Sequence, residues 1–411
     1  MSATLSREAA LLLQCARVTL PAEARERIAR LAGEPVDWAR FLAIATNHGL
    51  MPLAYEHLNA VAADALPKHV LVDLWKWRER TARRNAAMAT ELAGILADLE
   101  SAGIDAIPYK GPALAQSLYG DVGLRQFGDL DLLLKPADVL RAKACLLARG
   151  YAPQYPLAPA VEAAFLRARA QYHLSVVHEA RAIMVELHWK TDPDTAVEPI
   201  EDAAWWKGLR RDPLAGREVL AFSPAELLLI LLVHGSKHRW SSLGWLVDVA
   251  ELLRGDRGID WHWIATRAAS LRCERRVGLG LRLAQRWLDA PIPEALRRLA
   301  EIPAVIKSCD AIEREGVGSE AANETAVAML RANLRLYDTL GQRFAHLVST
   351  VASPSLVEWS RWPLPRALFF LYPPLRLARL AAKQLAALRP SPEIPAAATP
   401  RTPPPPPHWK D

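Results

Sequence analysis

Two aspartates one residue apart, Asp129 and Asp131, sit in the run Gly128-Asp129-Leu130-Asp131-Leu132-Leu133-Leu134. On a strand, residues two apart point to one face. The two carboxylates therefore stand side by side, while Leu130, Leu132 and Leu134 turn toward a core. Flanking leucines bury the strand, and two unpaired buried acids are costly. A hard divalent cation resolves the conflict: Mg²⁺, or Mn²⁺ in its place, takes oxygen ligands and bridges to phosphate. Arg125, four residues upstream, carries a planar fork that suits phosphate oxygens. Its other reading is an ion pair with Asp129. His234 and His238 are four apart, a spacing that serves zinc when a Glu follows the first His. No Glu follows His234 and no third ligand is evident, so the spacing is not read as a zinc site.

Around these residues the chain carries Tyr109-Lys110-Gly111-Pro112, then Arg125-Gln126-Phe127-Gly128-Asp129-Leu130-Asp131. Further along come Glu186-Leu187-His188-Trp189, His234-Gly235-Ser236-Lys237-His238-Arg239-Trp240 and Leu246-Val247-Asp248, with Asp37-Trp38 and His48-Gly49-Leu50-Met51-Pro52-Leu53 upstream. In this order, from about Asp37 to about Leu253, the fragments resemble the DNA polymerase β-type nucleotidyltransferase superfamily. The Lys-Gly variant is similar to a bacterial family of uncharacterised nucleotidyltransferases, and to the toxin nucleotidyltransferases of abortive-infection systems.

The resemblance implies a nucleoside triphosphate substrate and Asp129 and Asp131 as metal ligands. Glu186 takes the place of the third carboxylate, as ligand and as base or base-positioner. Lys110 and Gly111 fall where the superfamily's Gly-Gly or Gly-Ser turn approaches the β- and γ-phosphates. Here no Ser or Thr follows Gly111, and Lys110 supplies a charge that the usual motif lacks. Lys237 or His238, and Asp248, match positions that face the nucleotide in the toxin-like relatives. The expected activity is Mg²⁺-dependent transfer of a nucleoside monophosphate to a hydroxyl or phosphate, with release of pyrophosphate. A small molecule, or an intermediate of a peptide or polysaccharide pathway, is the expected acceptor. A toxin-type enzyme acting on tRNA and a non-catalytic nucleotide-binding scaffold are the alternatives.

The elements that position these groups can be read from periodicity. Residues 1–100 form a helical region, with helices over Ser6–Leu20, Pro35–Asn59 and Pro67–Ser101. The basic run Trp75–Arg84 reads as a solvated helix face. Residues 101–195 alternate in shorter runs and hold the α/β core. Ile104–Tyr109 and Leu130–Leu134 are strands, Pro112–Tyr119 and Pro136–Arg149 helices, and Tyr172–His178 with Ala182–Trp189 a hairpin. Residues 196–345 are expected to be helical on the nucleotide or acceptor side, with a buried helix over Pro224–Lys237. Residues 346–388 form a C-terminal helical segment. Its basic amphipathic stretch 375–388 either docks on its own domain or touches a membrane surface. Residues 389–411 read as a disordered Pro-rich tail, with nine prolines from Pro390 onward. The fold class is α+β: a small mixed sheet embedded in mostly helical N- and C-terminal regions.

Bulk properties narrow the classes. The 411 residues are 51% hydrophobic, enough for packed cores and against global disorder. The net charge of +6 suits a polyanionic substrate. Cys15, Cys145, Cys273 and Cys309 are scattered, which speaks against a disulfide framework or a zinc knuckle. The chain lacks a P-loop, a G-x-G-x-x-G turn and a G-x-S-x-G elbow, so kinase, dehydrogenase and serine hydrolase chemistries find no support. Without a signal sequence or an apolar run longer than Leu227–Val233, the expected location is cytoplasmic.

Overall fold

The computed structural model describes residues 5–195, 197–317 and 326–387; the Pro-rich tail lies outside them. Its centre is a five-stranded mixed sheet ordered β1-β2-β5-β4-β3. The strands are β1 (Ala106–Pro108), β2 (Asp129–Leu134), β3 (Ala152–Pro153), β4 (His173–His178) and β5 (Ile183–His188). β4 and β5 form the expected antiparallel hairpin. β2 runs antiparallel to β1 and parallel to β5. A parallel neighbour requires a crossover, and here the chain passes through the Val139–Ala148 helix, β3, the Pro159–Arg167 helix and β4 before β5 begins.

The parallel register sets Asp131 opposite Glu186 and Leu133 opposite His188. Strand alternation then divides the sheet into two faces. Leu130, Leu132 and Leu134 of β2 pack with Val185 and Leu187 of β5 in one apolar cluster. Asp129, Asp131 and Leu133 look the other way, and Leu133 joins a second, larger cluster built from helices.

The Lys68–Ser101 helix serves both cores. Val70 and Leu74 near its start belong to the helical cluster. Met88, Leu92, Ile95, Leu96 and Leu99 belong to the sheet cluster, and their three-four spacing marks one continuous buried face. At 34 residues the helix is about 50 Å long, enough to span both.

The helical side includes Pro224–Lys237, as its all-round apolar sequence demands. Its start is fixed by a capping box in which Ser223 and Glu226 each satisfy the other's backbone N–H. The Leu243–Arg254 helix follows and packs against it.

Four expectations need correction. The helix over Ser6–Leu20 ends at Cys15, and a separate helix runs over Ala22–Ala32. The continuous helix over Pro35–Asn59 is two, Trp38–Asn47 and Met51–Ala62. Gly49 between them adopts φ +70°, a left-handed conformation that interrupts the helix. The region 196–345 is not all helical: β6 (Arg210–Leu214) and β7 (Arg217–Ala221) form a hairpin. Its two-residue turn has positive φ at Ala215 and Gly216, and the Ala-Gly pair is a weaker signal than Asn-Gly. The helix begun by Pro136 is a short 3₁₀ turn, Pro136–Asp138, leading into Val139–Ala148.

The C-terminal helix Tyr372–Ala387 docks on its own chain. The Trp359 and Tyr372 rings lie tilted with centroids 4.4 Å apart, and Trp359 meets Phe165 of the sheet's apolar cluster. Arg379 pairs with buried Glu358, and Arg376 donates to Thr350 O at 2.9 Å.

Candidate active site

The site lies where the sheet face bearing Asp129 and Asp131 meets the helical cluster. β1 delivers the chain to Lys110, the N-cap of the Gly111–Tyr119 helix. Gly111 has φ +52°, and a Cβ there would stand 3.0 Å from Asp129 O. The position thus needs glycine both for its conformation and for close approach to β2. Lys110 is buried and reaches Asp131, with Nζ 3.5 Å from Oδ1.

Asp131 is 2% exposed. His188 Nε2 lies 3.1 Å from Asp131 Oδ1 and 3.1 Å from Glu186 Oε2, so one imidazole bridges the two carboxylates. His173 approaches the other Glu186 oxygen, with Nε2 3.6 Å from Oε1. His173 and His188 face each other across the hairpin register and stack at 5.0 Å. Asp131 Oδ2 is buried without a hydrogen-bond partner.

Electrostatics follow from this packing. Burial alone would raise the Asp131 carboxyl, but the Lys110 charge and the His188 hydrogen bond hold it well below the usual range. Burial likewise opposes ionisation of Glu186, and the neighbouring His173 and His188 imidazoles hold it low. Burial would push His188 down, but the two carboxylates outweigh it and raise its pKa. His173 is lowered by burial to about 4 and is neutral at pH 7. Lys110 and, when protonated, His188 supply the countercharge to the two carboxylates.

A cleft partly open to solvent lies over this floor. Lys110, Gly111, Asp129 and Asp131 line one end. The walls come from His48, Leu50 and Leu53, from Leu124–Gly128, and from Ser242, Gly244 and Trp245. Hydrogen bonds tie these segments together. His48 O accepts from Gly244 N at 3.1 Å, and His48 Nδ1 accepts from Leu243 N at 3.3 Å. Asn85 Nδ2 donates to Val122 O and Arg125 O at 2.6 and 2.7 Å, and Arg84 donates to Phe127 O and Gly128 O at 2.6 and 3.1 Å. The long helix thus clamps the loop that leads into Asp129.

The structure distributes the sequence candidates unevenly. Lys110, Gly111, Arg125, Asp129 and Asp131 share the cleft, and Glu186 adjoins Asp131 behind it. Arg125 pairs with Asp248 rather than Asp129, through two N–H···O bonds of 2.9 Å. Asp248 is fully buried and also accepts from Tyr119 OH at 2.7 Å. Lys237 donates to Tyr172 OH at 2.7 Å and sits over that ring. His238 packs against His234 and Trp245, and burial lowers it to about 3.

Four participants were not expected from sequence: His173 and His188 at the carboxylates, and Arg84 and Asn85 of the long helix, which hold the loop. The alternation Glu186-x-His188 was a usable signal, since it places both on one strand face. His173 needs the hairpin register, and Arg84 was absorbed in a run read as solvated.

The site thus brings together a buried Asp-x-Asp strand, a third carboxylate and a lysine-glycine turn beside one cleft. The profile of the uncharacterised nucleotidyltransferase family matches residues 34–289, and the chain belongs to that family. It is thus a nucleotidyltransferase, a transferase whose substrate is a nucleoside triphosphate. Curated proteins and solved structures give no significant match. Among the described residues, no helix is long and apolar enough to cross a membrane.

Proposed function

We propose that this protein transfers a nucleoside monophosphate from a nucleoside triphosphate to a hydroxyl or phosphate on a small acceptor, releasing pyrophosphate, with Mg²⁺ or Mn²⁺ held by Asp129, Asp131 and Glu186. The observation that carries this reading is the pairing of Asp131 with Glu186 on adjacent parallel strands, with Asp131 Oδ2 buried and unpartnered. A buried acceptor atom of that kind is costly unless a cation or donor fills the space beside it. All-oxygen donors suit a hard cation. Such a cation, when bound, supplies Lewis-acid stabilisation of charge on the transferring phosphoryl group.

The remaining work falls to the chain itself. The Gly111–Tyr119 helix points its N-terminus at the cleft, where backbone N–H groups and the helix dipole favour phosphate. Lys110 adds a full charge at that end and moves from Asp131 to the triphosphate. Leu50, Leu53, Phe127 and Trp245 give the nucleoside apolar walls, while His48, Gln126 and Ser242 provide polar edges. Glu186 accepts or orients the proton of the incoming hydroxyl. Arg125 and Asp248 act as positioning residues that fix the cleft wall. Lys237 and His238 stand farther back, around Tyr172 and Trp245.

The test is incubation of the protein with each α-³²P-labelled nucleoside triphosphate, Mg²⁺ or Mn²⁺, and an extract divided into small-molecule, protein and RNA fractions. We expect label in the small-molecule fraction. Loss of a supporting partner of a metal ligand typically costs about 10–100-fold, so Asp129→Asn and Asp131→Asn should each cost at least that. Transfer that survives both substitutions would sink the assignment. Label in RNA would replace the proposed acceptor with the nucleic-acid one.

A further inference from the structure

We propose that His173, Glu186 and His188 form a second cation site of mixed nitrogen and oxygen donors that holds a divalent first-row transition metal more tightly than Mg²⁺. This deepens the metal assignment above and rests on it for Glu186.

The donor atoms are already spaced like the corners of a coordination polyhedron. His188 Nε2 lies 3.1 Å from Glu186 Oε2, and His173 Nε2 lies 3.6 Å from Glu186 Oε1. With metal–ligand bonds near 2.1 Å, neighbouring ligands stand about 3.0 Å apart in an octahedron and about 3.4 Å apart in a tetrahedron. Ligand atoms of His173, Glu186 and His188 all lie within 4.8 Å of one another. The 3.6 Å contact of His173 is too long for a hydrogen bond. A supporting hydrogen bond therefore does not explain why this imidazole turns its Nε2 toward Glu186.

The scaffold supports ligation. Glu186 and His188 are two apart on β5, and His173 is directly opposite His188 on β4. Ligands on paired strands hold their geometry better than ligands on loops. Glu186 and His188 are buried, so the site sheds water when filled. Donor chemistry then selects the ion. Imidazole suits first-row transition metals, whereas Mg²⁺ takes oxygen ligands and retains its waters. The sheet would thus carry two unlike positions that share Glu186: an all-oxygen one with Asp129 and Asp131, and a nitrogen-bearing one toward β4.

The test uses the full chain, stripped of metal and titrated with Co²⁺ in millimolar Mg²⁺. Ligand-field absorption reports occupancy and coordination. We expect one Co²⁺ retained against Mg²⁺, affinity lowered at least about tenfold by His173→Gln and by His188→Gln, and affinity within about twofold of wild type in Asp129→Asn. His173 keeps 22% of its side chain exposed, so its substitution stays informative should His188→Gln fail to fold. Co²⁺ that Mg²⁺ displaces, or that binds the His173 variant as it binds wild type, overturns the proposal. The labelled-nucleotide assay on the same preparation separates the two readings. Transfer without a Co²⁺ site defeats this inference alone, and a Co²⁺ site without transfer defeats the proposed function alone.

Discussion

Replacing Arg125 by Met keeps most of the side chain's length but strands the Asp248 carboxylate, which is fully buried, with Tyr119 OH as its remaining side-chain partner. The guanidinium and carboxylate meet through two bonds of 2.9 Å. With charge centres about 4 Å apart and an effective dielectric near 20, their attraction is about 4 kcal/mol. Desolvation of both ions offsets much of that in the intact pair. It does not offset removal of one partner, which typically costs about 3–5 kcal/mol. We therefore expect Arg125→Met to lose about 3–5 kcal/mol in urea unfolding followed by tryptophan fluorescence, and Asp248→Leu a similar amount. The double variant Arg125→Met/Asp248→Leu buries no unpaired charge and should cost less than either single change. Losses in the singles below about 1 kcal/mol would refute the reasoning, since they would mean the pair is exchanged readily for water. So would a double variant whose loss equals the sum of the singles, because contacting partners must couple.

Other expectations follow from the same geometry. Gly111→Ala forces a side chain into a left-handed conformation at a cost of about 1–2 kcal/mol and sets its Cβ 3.0 Å from Asp129 O. A thermal melt should show the loss and the transfer assay a larger one, while wild-type values in both would contradict the close approach. Glu91 ties the long helix to Arg149, Tyr151 and Arg181. Burial would raise its carboxyl, but Arg149, Tyr151 and Arg181 hold it below the usual value. Its folded value lies below its unfolded one, so the stabilisation is present above about pH 4.5 and fades as pH falls through the folded value. The stability difference between wild type and Glu91→Gln should accordingly shrink on acidification, and a difference that grows would reverse the sign.

What the sequence disclosed was whatever depended on local periodicity. Asp129 and Asp131 share a strand face because side chains alternate. The apolar pattern of Lys68–Ser101 and Pro224–Lys237 marks helices whatever they pack against. The Lys110-Gly111 turn could be placed because a helix follows it. The structure adds the pairings between distant segments. Arg125 was read as a phosphate fork, or else as an ion pair with Asp129, its neighbour in sequence, but its partner is Asp248, which only the packing of the Leu243–Arg254 helix beside the cleft brings near. His173 reaches Glu186 by hairpin register, which a single chain does not print. The β6–β7 hairpin escaped because an Ala-Gly turn is a weak mark, and the break at Gly49 because the apolar spacing continues through it.

The placement of Lys110 and His188 against Asp131 bears on how the molecule comes into being. β2 and β5 are partners, yet β5 is made well after β2. When they zip together they bring Asp131 and Glu186 into register, and two bare anions would push the closing strands apart. The chain brings its own counterions to that step, one from the segment before β2 and one from β5 itself. The sheet can therefore close on a nascent polypeptide that has met no metal. If the proposed cation binds here, loading would be an exchange in which the arriving ion displaces the Lys110 ammonium or a protonated His188.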